Sequence, residues 1–79
     1  MTNRDEIAKE LKIDGWNERW SGEIQWFDKN RVFLTFDSDG RYLNRFIPGE
    51  DLFSVDVLRT VDCAEYLNDP KGAIAAVLL

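Results

Sequence analysis

The chain has 79 residues, of which 44% are hydrophobic and 32% charged, and its formal net charge is −5 at pH 7. This length fits one domain over residues 1–79, and the hydrophobic content excludes a disordered chain. The single cysteine excludes an internal disulfide and a cysteine-based zinc site, and the lack of histidine removes the commonest proton shuttle at neutral pH.

The first predicted element is a short N-terminal helix. Thr2 or Asn3 can cap its start, and Asp14-Gly15 is a typical helix end. Ile7 and Leu11 are one helical turn apart and share a face. Because a helix of about ten residues is unstable alone, this face is expected to pack on the rest of the domain.

The middle of the chain predicts a β-meander, because the hydrophobic period changes to two after Gly22. Residues 16–20 before it are ambiguous, since two tryptophans four residues apart also fit one more helical turn. Strands are predicted at residues 23–26, 31–36 and 41–47, with turns at 28–30 and 37–40. Residues 55–61 are a candidate fourth strand.

Strand alternation assigns the side chains to two faces of the sheet. One face is predicted to contact Ile7 and Leu11, and it carries Ile24, Trp26, Val32, Leu34, Phe36, Leu43 and Ile47. The other face is predicted to be aromatic, with Phe27, Phe33, Tyr42 and Phe46. In the fourth strand, residues 55, 57, 59 and 61 are predicted to share one side. A second apolar face is either covered by more of the chain or exposed for binding.

The C-terminal part predicts two helical segments. Asp62 is placed to cap a turn over residues 63–67, and Asp69 followed by Pro70 is a strong helix start. The apolar residues 73–79 continue that second helix. The predicted fold is therefore α+β, a three- or four-stranded antiparallel β-meander with short N-terminal and C-terminal helices.

Residues 22–29, Gly-Glu-Ile-Gln-Trp-Phe-Asp-Lys, resemble the first strand of cold-shock domains, Gly-x-Val-x-Trp-Phe-Asn-x-x-Lys. The resemblance implies a small barrel that stacks single-stranded nucleic acid on aromatic rings. It implies Trp26 as the stacking residue and Phe33 as a second ring. The Gly-Phe-Gly-Phe run of that family does not occur in this chain.

No catalytic, metal or cofactor motif is present in the sequence, so an enzyme, a metal site and a cofactor are not expected. Residues 37–40, Asp-Ser-Asp-Gly, superficially suggest a calcium loop. Counted from Asp37, however, positions five and six of that loop are Arg41 and Tyr42 rather than an oxygen ligand and glycine. A hairpin turn is the better interpretation.

The remaining signal is the acidity of the C-terminal third, where residues 50–79 hold six acids and two bases. An acidic surface attracts basic surfaces and repels phosphate backbones. We expect these acids to form a partner-binding surface: Glu50, Asp51, Asp56, Asp62, Glu65 and Asp69. The alternative partner-binding surface is the aromatic face, with Phe27, Phe33, Tyr42 and Phe46.

In size, charge and lack of catalytic residues, the chain is similar to phage-encoded inhibitors of host defence, including anti-CRISPR proteins. The likeness implies stoichiometric inhibition of a host protein or ribonucleoprotein complex with a basic surface, without direct contact to nucleic acid. The charged N-terminal segment contains no apolar signal sequence, and the apolar run at residues 73–79 is too short to span a membrane, so we expect a cytoplasmic protein. We expect it to be a monomer or a weak homodimer. A cold-shock-like single-strand binder and a small structural subunit are the alternatives.

Overall fold

The computed structural model describes residues 3–49 and 55–79. Two of the predicted docking acids, Glu50 and Asp51, lie outside the described residues, as does Thr2, one of the two predicted caps of the first helix. The elements in chain order are α1 (Asn3–Ile13), β1 (Asn17–Ser21), β2 (Ile24–Lys29), β3 (Val32–Phe36), β4 (Tyr42–Pro48), β5 (Val55–Asp62), a 3-10 helix (Cys63–Tyr66) and α2 (Pro70–Val77).

The strands form one antiparallel sheet in the order β1-β2-β3-β4-β5, so each strand lies beside its neighbours in sequence. The predicted α+β meander with a helix at each end is thereby confirmed. The sheet has five strands because the ambiguous segment after α1 forms β1 rather than a helical turn. Gly15, with φ of +89°, takes the chain out of the helix, and the whole of β1 then pairs with β2.

Both helices pack on one face of the sheet. Ile7 and Leu11 of α1 are fully buried in one cluster with Leu34 and Phe36 of β3, against which Val32 also packs. The predicted contact between the helix and this face of β3 is confirmed. Helix α2 adds three buried side chains to the same cluster, those of Ala73, Ile74 and Val77.

The face predicted for β2 is wrong. The turn between β2 and β3 consists of only two residues, Asn30 and Arg31, both with positive φ. Phe27 therefore lies opposite Leu34 on the helix-covered face and is fully buried, whereas Trp26 lies on the other face. A shift of one residue moves every side chain of a strand to the opposite face, so Phe27 does not belong to the aromatic face.

A β-bulge also changes the prediction for β5. The register moves by one residue between Arg45 and Phe46 of β4, which makes Leu58 the extra residue of β5. Val61 consequently lies in the core, while Val57 is opposite Phe46 and is 53% exposed. The prediction that alternate residues from 55 to 61 share one side is wrong, because a bulge reverses the alternation within a strand.

Two aspartates cap the C-terminal helical segments, as predicted. The Asp62 carboxylate accepts a 3.0 Å hydrogen bond from the Ala64 amide, and the Asp69 carboxylate accepts one of 3.0 Å from the Gly72 amide. Pro70 occupies the first turn of α2. Neither described α-helix has the length and apolar character needed to cross a lipid bilayer.

Candidate functional site

The sheet face that points away from both helices, called the open face below, carries rows of side chains that cross the strands. The row nearest the β2–β3 turn contains Asn17, Asp28, Phe33, Phe46 and Val57. The middle row contains Arg19, Trp26, Thr35, Asn44 and Thr60. Within residues 3–49 and 55–79, both helices pack on the opposite face, so the open face carries no second layer of helix.

Four apolar side chains gather on the open face, and we call them the Phe33 cluster: Phe33, Phe46, Val57 and Leu58. The ring centroids of Phe33 and Phe46 are 5.8 Å apart with the rings tilted by 49°. Phe46 is 8% exposed, whereas Val57 and Leu58 are each 53% exposed. Apolar side chains that stay in water beside a packed ring pair are typical of a docking surface.

The polar side chains beside this cluster bond to one another. The Arg19 guanidinium donates a 2.9 Å hydrogen bond to the Asp28 carboxylate, and Asn17 donates one of 3.2 Å to the same group. The hydrogen bond from Arg19 holds the pKa of Asp28 below its ordinary value. The Thr60 hydroxyl donates a 2.7 Å hydrogen bond to the side-chain amide oxygen (Oδ1) of Asn44. These bonds fix the polar groups in place next to the apolar cluster.

A cavity of about 250 Å³ lies at the end of the sheet nearest the β2–β3 turn. Its lining combines apolar residues with two arginines: Val32, Phe33, Phe46, Ile47, Pro48, Leu58, Arg31 and Arg45. The cavity therefore joins the Phe33 cluster to positive charge.

Three arginines lie in this half of the sheet: Arg31 is in the β2–β3 turn, whereas Arg45 and Arg59 are on the helix-covered face, in the same row as Leu34. Arg45 and Arg59 stand directly opposite each other on β4 and β5. Arg45 donates a weak 3.4 Å hydrogen bond to the Leu78 carbonyl. In the part of the chain that the structure describes, which includes nearby Asp56, none of the three arginines forms an ion pair. Like charges directly opposite across a sheet destabilise it.

The acids of the C-terminal third do not form one described surface. Asp62 and Asp69 are helix caps, and Asp62 also pairs with Arg41 at 3.4 Å. Glu65 is exposed close to Asp62. Asp56 is near the other end of β5, about 20 Å from Asp62 at the usual rise per strand residue.

Three of the four predicted aromatic residues, Phe33, Tyr42 and Phe46, do share the open face, and Phe27 does not. Sequence reasoning missed Val57 and Leu58, whose placement depends on the bulge, and it assigned Trp26 to the wrong face. The available signal was Asn30, because asparagine tolerates the positive φ of a two-residue hairpin turn.

Cys63 does not offer a nucleophile. It is 2% exposed, and burial raises the pKa of its thiol to about 11, with the carboxylates of Asp37 and Asp62 acting in the same direction. The thiol therefore stays protonated at neutral pH. Among the described residues, no three His, Cys, Asp or Glu side chains are grouped so as to hold a metal ion.

No family model, no curated protein and no solved structure matches this chain. The resemblances to cold-shock domains and to anti-CRISPR proteins therefore stay predictions. The function has to be argued from the chemistry of the open face.

Proposed function

We propose that this chain is a protein-binding domain that docks a partner on the open face, with the Phe33 cluster at the centre of the contact. The observation that carries the proposal is the exposure of Val57 and Leu58, each 53%, beside the packed Phe33–Phe46 pair. Removing such side chains from water contributes about 25 cal/mol per Å² of apolar surface. Well-packed aromatic side chains are among the residues that dominate binding energy in protein interfaces, and Phe33 and Phe46 supply such a pair of rings here.

The narrower function that we propose is stoichiometric inhibition of a host nucleic-acid-binding complex with a basic surface. Its support is the net charge of −5 on a small chain with a protonated, buried thiol and no histidine. Replacing Glu50, Asp51 and Asp56 by lysine together tests this mechanism once a target is known. Slower, less salt-sensitive association is expected; association at the wild-type rate would contradict the acidic mechanism and leave the protein-binding role standing.

A second candidate is binding of single-stranded nucleic acid, which the shared position of Trp26 and Phe33 on the open face favours. The net charge argues against it, and we expect no change in tryptophan fluorescence on titration with oligo-dT at physiological salt. Strong quenching that weakens with salt and is lost in Trp26→Ala would replace the protein-binding proposal by this one.

The test of the open face compares two exposed aliphatic residues on different parts of the molecule. Val57 is 53% exposed on the open face, and Ile13 is 69% exposed at the end of α1. Binding of each purified candidate partner is measured by calorimetry with Val57→Asp and with Ile13→Asp, after circular dichroism confirms both folds. We expect at least a tenfold loss for Val57→Asp alone. Equal affinities for both variants and the wild type would contradict docking on this face.

A further inference from the structure

We propose that the outer edge of β1, called the β1 edge below, binds an extended segment of a protein partner, which joins the sheet as an added strand. This inference goes beyond the proposed function. The Phe33 cluster lies on β3, β4 and β5, whereas β1 is the strand at the other edge of the sheet. The β1 edge can therefore bind its segment whether or not the open face docks a partner.

Two residues of β1 direct their backbone groups away from the sheet. Ser21 and Ile24 are partners on either side of the two-residue β1–β2 turn, so they form a hydrogen-bonded pair. Because this direction alternates along a strand, Arg19 also bonds to β2, whereas Glu18 and Trp20 point their N–H and C=O groups outward. In the part of the chain that the structure describes, β1 pairs only with β2, and neither outward residue makes another backbone hydrogen bond. Such groups match the backbone of an extended peptide.

The β1 edge lacks the protection that the opposite edge of the sheet has. The edge strand β5 contains the bulge at Leu58, and a bulge twists an edge away from incoming chains. The register of β1 with β2 is unbroken. Its charged side chains bond within the domain, since Glu18 accepts a 2.6 Å hydrogen bond from Gln25 and Arg19 donates one of 2.9 Å to Asp28. The backbone of β1 is therefore the more accessible of the two edges.

A groove beside the β1 edge provides space for side chains of the added strand. Its volume is about 420 Å³, within the roughly 300–1,000 Å³ of typical binding pockets. Glu18 and Trp20 line the groove together with Ala8 and Lys9 of α1, and the Trp20 side chain is 57% exposed. Because side chains alternate between the faces of a strand, every second side chain of the segment would lie over this groove. We therefore expect an apolar side chain against the Trp20 ring.

A second copy of this chain fits the β1 edge less well than a different segment does. A two-fold pairing that uses both outward residues places Glu18 of one copy opposite Trp20 of the other. It also sets Arg19 of one copy directly opposite Arg19 of the other, and like charges in that position destabilise a sheet. A segment of another protein can carry an acidic or small residue there.

The outward N–H of Glu18 is tested with a matched pair of variants and a random peptide library displayed on phage. The library is selected on the immobilised full chain, where we expect enrichment of β-branched and aromatic residues, with lysine and arginine depleted next to them. Glu18→Pro removes the N–H and the side chain, and Glu18→Ala removes the side chain alone. Proline is tolerated on an edge strand where its missing N–H would face solvent, and circular dichroism checks both folds. By fluorescence polarisation, the most enriched peptide should bind Glu18→Ala within about threefold of the wild type and Glu18→Pro at least tenfold more weakly.

Hydrogen exchange on the wild-type chain tests the same contact without a substitution. In the free chain, the amides of Glu18 and Trp20 should exchange faster than that of Arg19, which bonds to β2. Addition of the peptide should slow exchange at Glu18 and Trp20 at least tenfold and leave Arg19 within about twofold.

Several outcomes would overturn the inference. These are failure to enrich any peptide, equal affinities of the peptide for the two Glu18 variants, and unchanged exchange at Glu18 and Trp20 with peptide bound. A peptide that loses affinity with Val57→Asp but not with Glu18→Pro would occupy the open face, which overturns the inference and supports the proposed function. A concentration-dependent dimer, measured by light scattering and lost in Glu18→Pro, would assign the β1 edge to a second copy instead.

Discussion

The two faces of the sheet carry similar residues and have different consequences. On the covered face, Phe27, Leu34 and Leu43 are fully buried beneath the helices, whereas Val57 and Leu58 on the other side are each 53% exposed. The same strands thus supply stability on one side and a candidate docking surface on the other. Apolar content alone does not distinguish these roles; what decides is whether another element covers the face.

The largest expected effect tests this comparison with one substitution at two leucines. Leu34→Ala empties a fully buried site and should reduce the free energy of unfolding by about 2–5 kcal/mol. Leu58→Ala removes the same atoms from an exposed site and should cost less than about 1 kcal/mol. Urea denaturation followed by tryptophan fluorescence measures both. Equal losses would mean that the open face is as important for stability as the covered face.

A second comparison uses two turn glycines with similar positive φ, Gly40 at +70° and Gly22 at +60°. A methyl group on Gly40 would lie 2.8 Å from the Arg4 Cδ, whereas one on Gly22 would meet no atom within 4 Å. Both alanine variants pay the cost of the left-handed conformation, about 1–2 kcal/mol. We expect Gly40→Ala to lower the melting temperature more than Gly22→Ala does. The reverse order would show that the contact between this turn and Arg4 of α1 does not limit the space at Gly40.

A third expectation concerns the turn that decides the faces of β2. Both turn residues have positive φ, and Arg31 is strained there in a way that glycine is not. Arg31→Gly should stabilise the domain by about 1 kcal/mol. Glu23→Gly is the control, because Glu23 occupies a turn without positive φ. This variant should have a free energy of unfolding that is lower by a few tenths of a kcal/mol. Destabilisation by Arg31→Gly would argue for a stabilising role of the arginine side chain.

The smallest effect lies in the polar network of the open face. Because Arg19 holds the pKa of Asp28 below its ordinary value of 3.8, Arg19→Gln should raise that pKa toward 3.8 in an NMR titration of the carboxyl carbon. A carboxyl whose pKa is depressed on folding adds stability above its unfolded pKa and loses it as the pH falls through the folded value. Arg41→Gln should leave the pKa of Asp28 unchanged. If Arg19→Gln also leaves it unchanged, the hydrogen bond from Arg19 is not the cause of the lowered pKa.

Local sequence signals determined much of this fold. The spacing of Ile7 and Leu11, the caps at Asp62 and Asp69, and the alternation in β3 each depend on residues a few positions apart. These patterns correctly predicted both terminal helices, the antiparallel meander and the contact of α1 with Leu34. Strand alternation likewise predicted aromatic rings on a second face, where Phe33, Tyr42 and Phe46 do lie and Phe27 does not.

The tertiary structure decided which side chains form that second face. The two-residue turn reversed β2 and buried Phe27, and the bulge at Leu58 turned Val57 outward. Strand pairing also brought Arg45 and Arg59 together on the helix-covered face, from positions fourteen residues apart in the sequence. Strand pairing is nonlocal, and a shift of one residue in its register exchanges the faces, so a pattern within a single strand cannot specify the composition of the surface.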